Sequence, residues 1–160
     1  MIVLQKIRTC LWFDHQAEEA ANFYISLFPG SRILAVTHYG EAGPGKPGSV
    51  LMVSFELAGT QLLALNGGPY FKFSEAISLS VDCANQGEVD TLWEKLGAGG
   101  EYSRCGRLKD RYGLSWQIVP ARLPELLSGP DPAGATRAME ALLKMSKLDI
   151  ARLETAYDGR

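Results

Sequence analysis

Few side chains in this 160-residue sequence have the type and position that chemistry at a shared site requires. Polar and aromatic residues on or beside the predicted strands could line a pocket for a small molecule. Amides such as Asn66 and Gln117 can orient a ligand by hydrogen bonds, and tryptophans can cover its apolar part. The candidate ligand-binding residues are Thr9, Trp12, Asn66, Ser78, Cys105, Trp116 and Gln117.

Nucleophilic catalysis has weak support in the sequence. No Gly-x-Ser-x-Gly motif, which would hold a serine on a sharp turn, is present. The three cysteines could act as nucleophiles only with a base beside them. Cys10 and Cys83 are predicted to be small buried residues on strands, whereas Cys105, before Gly106 near a strand end, is expected to face a pocket. Catalytic residues therefore stay unassigned.

Composition excludes several classes of partner. Lys plus Arg is 16 and Asp plus Glu is 18, so the net charge of −2 gives no electrostatic basis for binding nucleic acid or anionic lipid. No apolar run approaches the roughly 18–20 residues that span a bilayer. The first residues lack a signal-peptide core, and three cysteines are an odd number for a disulfide framework. We therefore predict a cytoplasmic protein with reduced thiols.

The elements that would position the candidates occur twice. A strand, an aspartate and an amphipathic helix appear in each half, and a constant shift maps Phe13 onto Val81 and Phe28 onto Leu96. The helices end at turn-forming clusters, and strand-like segments follow. The predicted strand and helix pairs are Ile7 to Phe13 with Ala17 to Phe28, and Ile77 to Val81 with Gln86 to Leu96.

This repetition predicts an α+β fold of two βαβββ modules. We expect one domain over residues 1–160, with one module over about 1–68, the second over about 74–120 and a helical tail over about 121–160. Glu101 to Cys105 and Ser115 to Val119 are the clearest strands of the second module, with a charged hairpin turn at Lys109, Asp110 and Arg111 between them. Two curved sheets side by side can close a cup, which is a natural small-molecule site.

The tail is predicted to be two amphipathic helices. Asp131 and Pro132 have the types that open a helix, and Met139, Leu142 and Leu143 fall on one face. Such faces must pack on something, either the outer face of a sheet or a second subunit.

Several segments resemble one known family. The resemblance rests on Cys10 to Asp14, Leu27 to Pro29, Asn66 to Pro69, Phe71 to Phe73, Val81 to Cys83, Lys109 to Gly113, Ser115 to Gln117 and Leu148 to Ala151. They are similar to the PhnB-like branch of the vicinal oxygen chelate (glyoxalase/bleomycin-resistance/dioxygenase) superfamily, often labelled 3-demethylubiquinone-9 3-methyltransferase. The resemblance implies paired βαβββ modules and a homodimer. Arg107 stands where relatives tend to have tryptophan.

The chemistries that the resemblance implies can be tested against the residues. Metal-dependent members of the superfamily carry ligands on the first and last strands of each module, here at about Thr9, Ala64, Ala76 and Gln117. Alanine has no donor atom, and a divalent site normally uses imidazole, thiolate or carboxylate. If the strand register is shifted by two residues, Glu75, Ser78 or Asn66 takes one of these ligand positions, but neither His15 nor His38 does. We therefore predict no metal.

Methyl transfer fits the residues poorly as well. A binding site for S-adenosylmethionine of the usual kind has a strand, a glycine-rich turn and a helix N-terminus. Asn66, Gly67 and Gly68 follow a strand, but Pro69 and the aromatic run after it do not open a helix. The sequence thus predicts a homodimer that binds a small, partly apolar molecule in its cup without a cofactor. The alternatives are a metal-assisted lyase, isomerase or dioxygenase, a methyltransferase as the label says, or a structural dimer with a filled cup.

Overall fold

Two four-stranded sheets with the same strand order organise the chain in a computed structural model, which describes residues 3–160. The chain divides into two units, the first ending at Phe73 and the second beginning at Ser74. In both sheets the first strand of the unit pairs in parallel with its last strand, and the two middle strands follow. The predicted α+β class and the repeated βαβββ order are confirmed.

The first unit contains five elements. Its sheet has the order β1-β4-β3-β2, and its helix runs between the first two strands. The bounds are β1 Thr9–Phe13, α1 Ala17–Leu27, β2 Arg32–His38, β3 Val50–Leu57 and β4 Thr60–Asn66.

The second unit contains eight elements, including the whole helical tail. Its sheet has the order β5-β8-β7-β6. The bounds are β5 Leu79–Cys83, α2 Gln86–Gly97, β6 Glu101–Tyr102, β7 Arg107–Lys109, β8 Ser115–Pro120, α3 Leu123–Leu127, α4 Pro132–Leu142 and α5 Ile150–Asp158. The strand predicted from Glu101 to Cys105 is therefore only two residues long. That the 160 residues form one domain stays a prediction.

In the first unit, one sheet face packs against α1. The buried side chains of this face are Leu11, Phe13, Val53, Phe55, Leu62 and Ala64. Tyr24 of α1 is fully buried, and its ring lies 6.5 Å from the ring of Phe55. Strand alternation puts Trp12 on the opposite face from Leu11 and Phe13.

In the second unit, α2 covers the apolar face of the sheet. The ring of Trp93 stacks on Tyr102 at 4.7 Å, and Tyr102 pairs in register with Leu108, which pairs with Trp116. Residues that are paired in register lie on the same face, so Trp116 and Ile118 belong to this face and are buried. The opposite face carries Ser80, Glu101, Arg107, Lys109, Ser115 and Gln117, and is called the polar face below.

The helical tail forms its own apolar cluster in the second unit. Its buried members are Leu126, Ala138, Leu142, Met145, Leu148 and Leu153, and Cys105 and Val119 pack against them. Asp131 caps α4 as predicted, by accepting a hydrogen bond from the backbone N–H of Ala133. Only part of the predicted apolar face of α4 is buried, however, because Met139 and Leu143 are exposed while Leu142 is not. Within residues 3–160, no helix is long and apolar enough to cross a membrane.

A buried carboxylate holds the turn between β7 and β8. Asp110 is 2% exposed, and its Oδ1 accepts hydrogen bonds from the backbone N–H groups of Tyr112 and Leu114. Its Oδ2 accepts a hydrogen bond of 2.9 Å from the indole N–H of Trp116. The turn is thus not merely a charged surface turn, because Asp110 fixes both the turn and the large side chain at the centre of β8.

We expect Asp110→Ala to lower the free energy of unfolding by about 2–4 kcal/mol, since it leaves buried donors without an acceptor. Urea denaturation followed by tryptophan fluorescence measures this loss. Asp82→Ala is the matched control, because Asp82 is exposed and should change stability by less than about 0.5 kcal/mol. Equal effects of the two substitutions would contradict a structural role for the Asp110 carboxylate.

Candidate functional site

Ser78 and Gln117 are the two sequence candidates that meet directly. Ser78 lies just before β5, and Gln117 lies in the middle of β8 on the polar face. The side-chain amide of Gln117 donates a hydrogen bond of 2.9 Å to the hydroxyl oxygen of Ser78. The parallel pairing of β5 with β8 brings the two residues together, although 39 positions separate them in the sequence.

A pocket of about 290 Å³ lies beside this pair and is called the β7–β8 pocket here. Its volume is at the lower end of the range for ligand sites, so it suits a compact molecule. Tyr102, Leu108 and Trp116 also border the pocket, although their side chains belong to the sheet face that α2 covers. The remaining lining residues are polar or charged, namely Glu75, Ser78, Glu101, Ser103, Arg107, Lys109 and Ser115.

An ion pair lies at this pocket. The Lys109 ammonium contacts the Glu75 carboxylate, whose side chain is 65% exposed. The hydrogen bond from Lys109 lowers the pKa of Glu75, and the same contact raises the pKa of Lys109. Both groups are therefore charged at neutral pH. The guanidinium of Arg107, which also lines the pocket, makes no hydrogen bond or ion pair with any residue from 3 to 160.

The hydroxyl of Ser115 is buried without a partner. Ser115 is 6% exposed, and among residues 3–160 its Oγ is the one buried side-chain polar atom that lacks a hydrogen bond. Buried polar groups are normally satisfied, because an unmade hydrogen bond costs about 1–3 kcal/mol. A native structure that keeps such a group in the lining of a pocket has a polar atom available to a ligand.

Trp116 contributes packing to this region. Its side chain is 2% exposed, lies on the face that α2 covers and has its indole N–H bonded to Asp110. It lines the β7–β8 pocket but offers no free hydrogen-bonding group there. The candidates Ser78, Trp116 and Gln117 thus lie together in the second unit.

Thr9, Trp12 and Asn66 belong to the first unit. Trp12 and Asn66 have structural roles there. Thr9 is exposed and alternates with Leu11 and Phe13, so it shares the sheet face that packs against α1. Asn66 caps α1: its side-chain oxygen accepts from the backbone N–H of Ala17 at 2.8 Å, and its side-chain N–H₂ donates to the carbonyl of Val50. Asn66 therefore supplies the cap that Gln16 does not provide.

Trp12 and the glycines after Asn66 form one packed segment. The indole N–H of Trp12 donates to the carbonyl of Gly68 at 2.9 Å, and its ring meets that of Phe71 edge-on at 4.8 Å. A Cβ on Gly67 would lie 2.2 Å from the indole ring, so glycine is required there. The Asn-Gly-Gly-Pro segment is thus explained by packing and by helix capping.

None of the three cysteines lines the β7–β8 pocket. Cys105, expected to face a pocket, instead packs against the helical tail, with its Sγ 3.7 Å from the carbonyl oxygen of Leu142. Its φ of +60° turns the chain between β6 and β7, which ends the strand predicted to reach this residue. Cys83 is buried as predicted, and burial raises its pKa to about 12, which makes the thiol unreactive. Cys10 is exposed rather than buried as predicted, and partial desolvation raises its pKa.

The larger cleft of the first unit has a volume of about 540 Å³. It lies beside Asn66, Gly67 and Gly68, and its charged lining is largely acidic, from Asp14, Glu18 and Glu19 with His15 and Lys46. Asp14 and His15 approach to 3.6 Å, and both are well exposed. Across residues 3–160, no group of three His, Cys, Asp or Glu side chains has an arrangement that could hold a metal ion.

Sequence reasoning missed the charged part of the β7–β8 pocket. Lys109 was interpreted as part of a hairpin turn, and Ser115 was noted only as the start of a strand. The available signal was alternation, because Arg107, Lys109, Ser115 and Gln117 occupy alternate positions on two adjacent strands. That pattern predicts a shared polar face.

Comparisons with known proteins agree with this architecture. The family described as 3-demethylubiquinone-9 3-methyltransferase matches residues 5–119. A PhnB protein from Bacillus cereus is 40% identical, with a TM-score of 0.68, and the match covers 73% of this chain and all of that one. A protein from Pseudomonas aeruginosa is 20% identical, with a TM-score of 0.59 over 71% of this chain and 95% of that one. No curated protein matches the chain.

These matches define the class and then the family. Two four-stranded sheets of the same order, each with a helix after its first strand, define an α+β protein of two βαβββ units. The chain belongs to the PhnB-like family described as 3-demethylubiquinone-9 3-methyltransferase. The family match ends at residue 119, so α3, α4 and α5 lie outside it.

Proposed function

We propose that this protein binds a small, partly apolar organic molecule in the β7–β8 pocket, without a tightly held metal. The observation that carries the proposal is the convergence of polar groups on one small pocket, including the unpaired hydroxyl of Ser115. Gln117, held by Ser78, lies next to Arg107 in register. Hydrogen-bonding groups on adjacent strands orient a ligand with little loss of side-chain entropy, because the sheet already fixes them.

The lining supports a molecule with both an apolar and a polar part. Arg107, Lys109 and Ser115 offer hydrogen-bond donors, and the aliphatic stems of Arg107 and Lys109 offer apolar contact. Hydrogen-bonding groups that converge on one pocket fix the orientation of a bound ligand.

Metal-assisted catalysis is the main rival, and the residues do not fit a resident metal. Thr9 and Ala64 lie on the face that packs against α1. Gln117 offers only a neutral amide, and its neighbours Arg107 and Lys109 are cations, which repel a divalent ion. The pocket has two carboxylates, but that of Glu75 is held by Lys109, and no three His, Cys, Asp or Glu side chains among residues 3–160 are arranged to hold a metal ion.

The family description names methyl transfer, but the residues do not fit S-adenosylmethionine in its usual form. The segment from Gly67 to Ser78 contains no helix, so no helix N-terminus follows the glycine-rich turn. Gly67 is required by its contact with Trp12. We therefore derive no step through this cofactor.

The full chain is expected to bind at least one of three matched probes, namely benzamide, benzoate or benzylammonium, at millimolar concentration. Amide chemical shifts in NMR spectra should change at Ser78, Arg107, Ser115 and Gln117, whichever probe binds. Ser78→Ala, which removes a hydroxyl that lines the pocket, should weaken binding of the preferred probe by about three- to tenfold. Absence of binding by all three, or saturable binding of S-adenosylmethionine, would overturn the proposal.

Metal content gives an independent test. Protein purified without chelators should contain zinc, nickel, manganese and iron far below one equivalent per chain by elemental mass spectrometry. EDTA treatment should then leave the melting temperature and the probe affinity unchanged. One tightly bound equivalent of any of these metals would contradict a metal-free binding function.

We also propose that the chain forms a homodimer and functions in the cytoplasm. The exposed apolar side chains of Met139 on α4 and of Leu143, which follows the helix directly, support self-association. Light scattering at micromolar concentration should give twice the mass of the 17.4 kDa chain. Met139→Lys combined with Leu143→Glu should shift this mass toward the monomer, and a monomeric wild-type protein would contradict the proposal.

A further inference from the structure

We propose that the ligand of the β7–β8 pocket carries a carboxylate, which replaces the Glu75 carboxylate on Lys109 and accepts a hydrogen bond from Ser115. This inference rests on the proposed function, because it specifies the chemistry of the same ligand. It follows from three features of the pocket, which are an unpaired hydroxyl, an exchangeable ion pair and a balance of charge.

The unpaired hydroxyl supplies a donor in the wall of the pocket. Ser115 belongs to β8, whose position is fixed by pairing with both β5 and β7. Its Oγ is buried, and no group within residues 3–160 bonds to it. A hydroxyl can donate to an anionic oxygen, and hydrogen bonds to charged acceptors are roughly twice as strong as neutral ones.

Lys109 lies beside this hydroxyl. Lys109 and Ser115 are direct partners across β7 and β8, so their side chains are neighbours on the polar face. The ammonium and the hydroxyl can therefore bind the two oxygens of one carboxylate. At present Lys109 already holds a carboxylate, that of Glu75.

The Glu75 carboxylate occupies the contact with Lys109 that the carboxylate of the ligand would take. Glu75 belongs to an irregular segment before β5, and its side chain is 65% exposed. Exposed ion pairs contribute little stability, so exchanging Glu75 for another carboxylate costs little. A ligand that also reaches Ser115 gains a hydrogen bond beyond the contact that Glu75 makes with Lys109.

The charge balance of the lining favours a monoanion. Arg107 and Lys109 are positive, and Glu75 and Glu101 are negative. When Glu75 leaves the pocket, two cations face one carboxylate, and a ligand with a single negative charge restores neutrality. Arg107, without a partner within residues 3–160, is a second donor for such a group.

The probes named above test this inference on the unmodified chain. Benzoate, benzamide and benzylammonium share a ring and differ in charge. Benzoate should bind about tenfold more tightly than benzamide, because a charge-assisted contact replaces a neutral one. Benzylammonium should bind most weakly. If benzamide binds as well as benzoate, the carboxylate inference fails while the binding function stands, and if no probe binds, both fail.

Substitutions then test the contacts. Lys109→Met should lower the affinity for benzoate by about tenfold or more, with little effect on the affinity for benzamide. Lys147→Met is the matched control, because Lys147 forms an ion pair with Asp90 and does not line the pocket. Ser115→Ala should weaken benzoate by about three- to tenfold without lowering the melting temperature, since it removes an unsatisfied hydroxyl. Unchanged benzoate affinity in both pocket variants would overturn the inference.

Competition between Glu75 and the ligand for Lys109 can be measured separately. Glu75→Gln should tighten benzoate by about two- to fivefold, because the competing carboxylate is gone. Glu101→Gln removes an equal charge from the same lining but breaks no ion pair with Lys109, so it measures the general electrostatic effect. Equal gains in the two variants would show that Glu75 does not compete with the ligand, and would overturn the exchange.

Discussion

Parallel pairing between the first and last strands of each unit is the constraint on which the other features depend. It fixes the face of every side chain, because residues paired in register point the same way and their neighbours point the opposite way. In the second unit the helix α2 must cover the face of Leu108, Trp116 and Ile118, which are nearly fully buried. The polar face is a consequence of that coverage, since the residues between these apolar ones have no other direction available.

The ends of the polar face are closed in different ways. Toward the tail, Val119 and Cys105 pack against the apolar cluster of α3, α4 and α5, so this end belongs to a hydrophobic core. Toward the β7–β8 turn, the Asp110 carboxylate closes this end by accepting hydrogen bonds from the backbone and from Trp116. Between the turn and the tail, the polar side chains that can bind a ligand lie in the short stretch around Ser115.

The sequence predicts the elements of this structure better than it predicts which sheet face each strand residue occupies. The repeated strand–helix pattern predicted the βαβββ order of elements in both units, because hydrophobic periodicity and turn residues are local signals. Which face each strand presents depends on its partner, and this is why Thr9 was assigned to the binding site although it shares the face of Leu11 and Phe13. Cys105 was misplaced for a related reason, since its left-handed backbone and its contact with the tail depend on residues about 40 positions away.

Ser115 connects the fold with the chemistry. Pairing with β5 and β7 fixes its backbone, and its hydroxyl is buried in the lining of the β7–β8 pocket. Alanine at this position would fill the same place in the strand without an unmet hydrogen bond. A hydrogen bond from this hydroxyl to a ligand recovers the free energy that the unmet hydrogen bond costs. Because Lys109 is its neighbour and already binds a carboxylate, an anionic oxygen is the partner for which the two groups together are arranged.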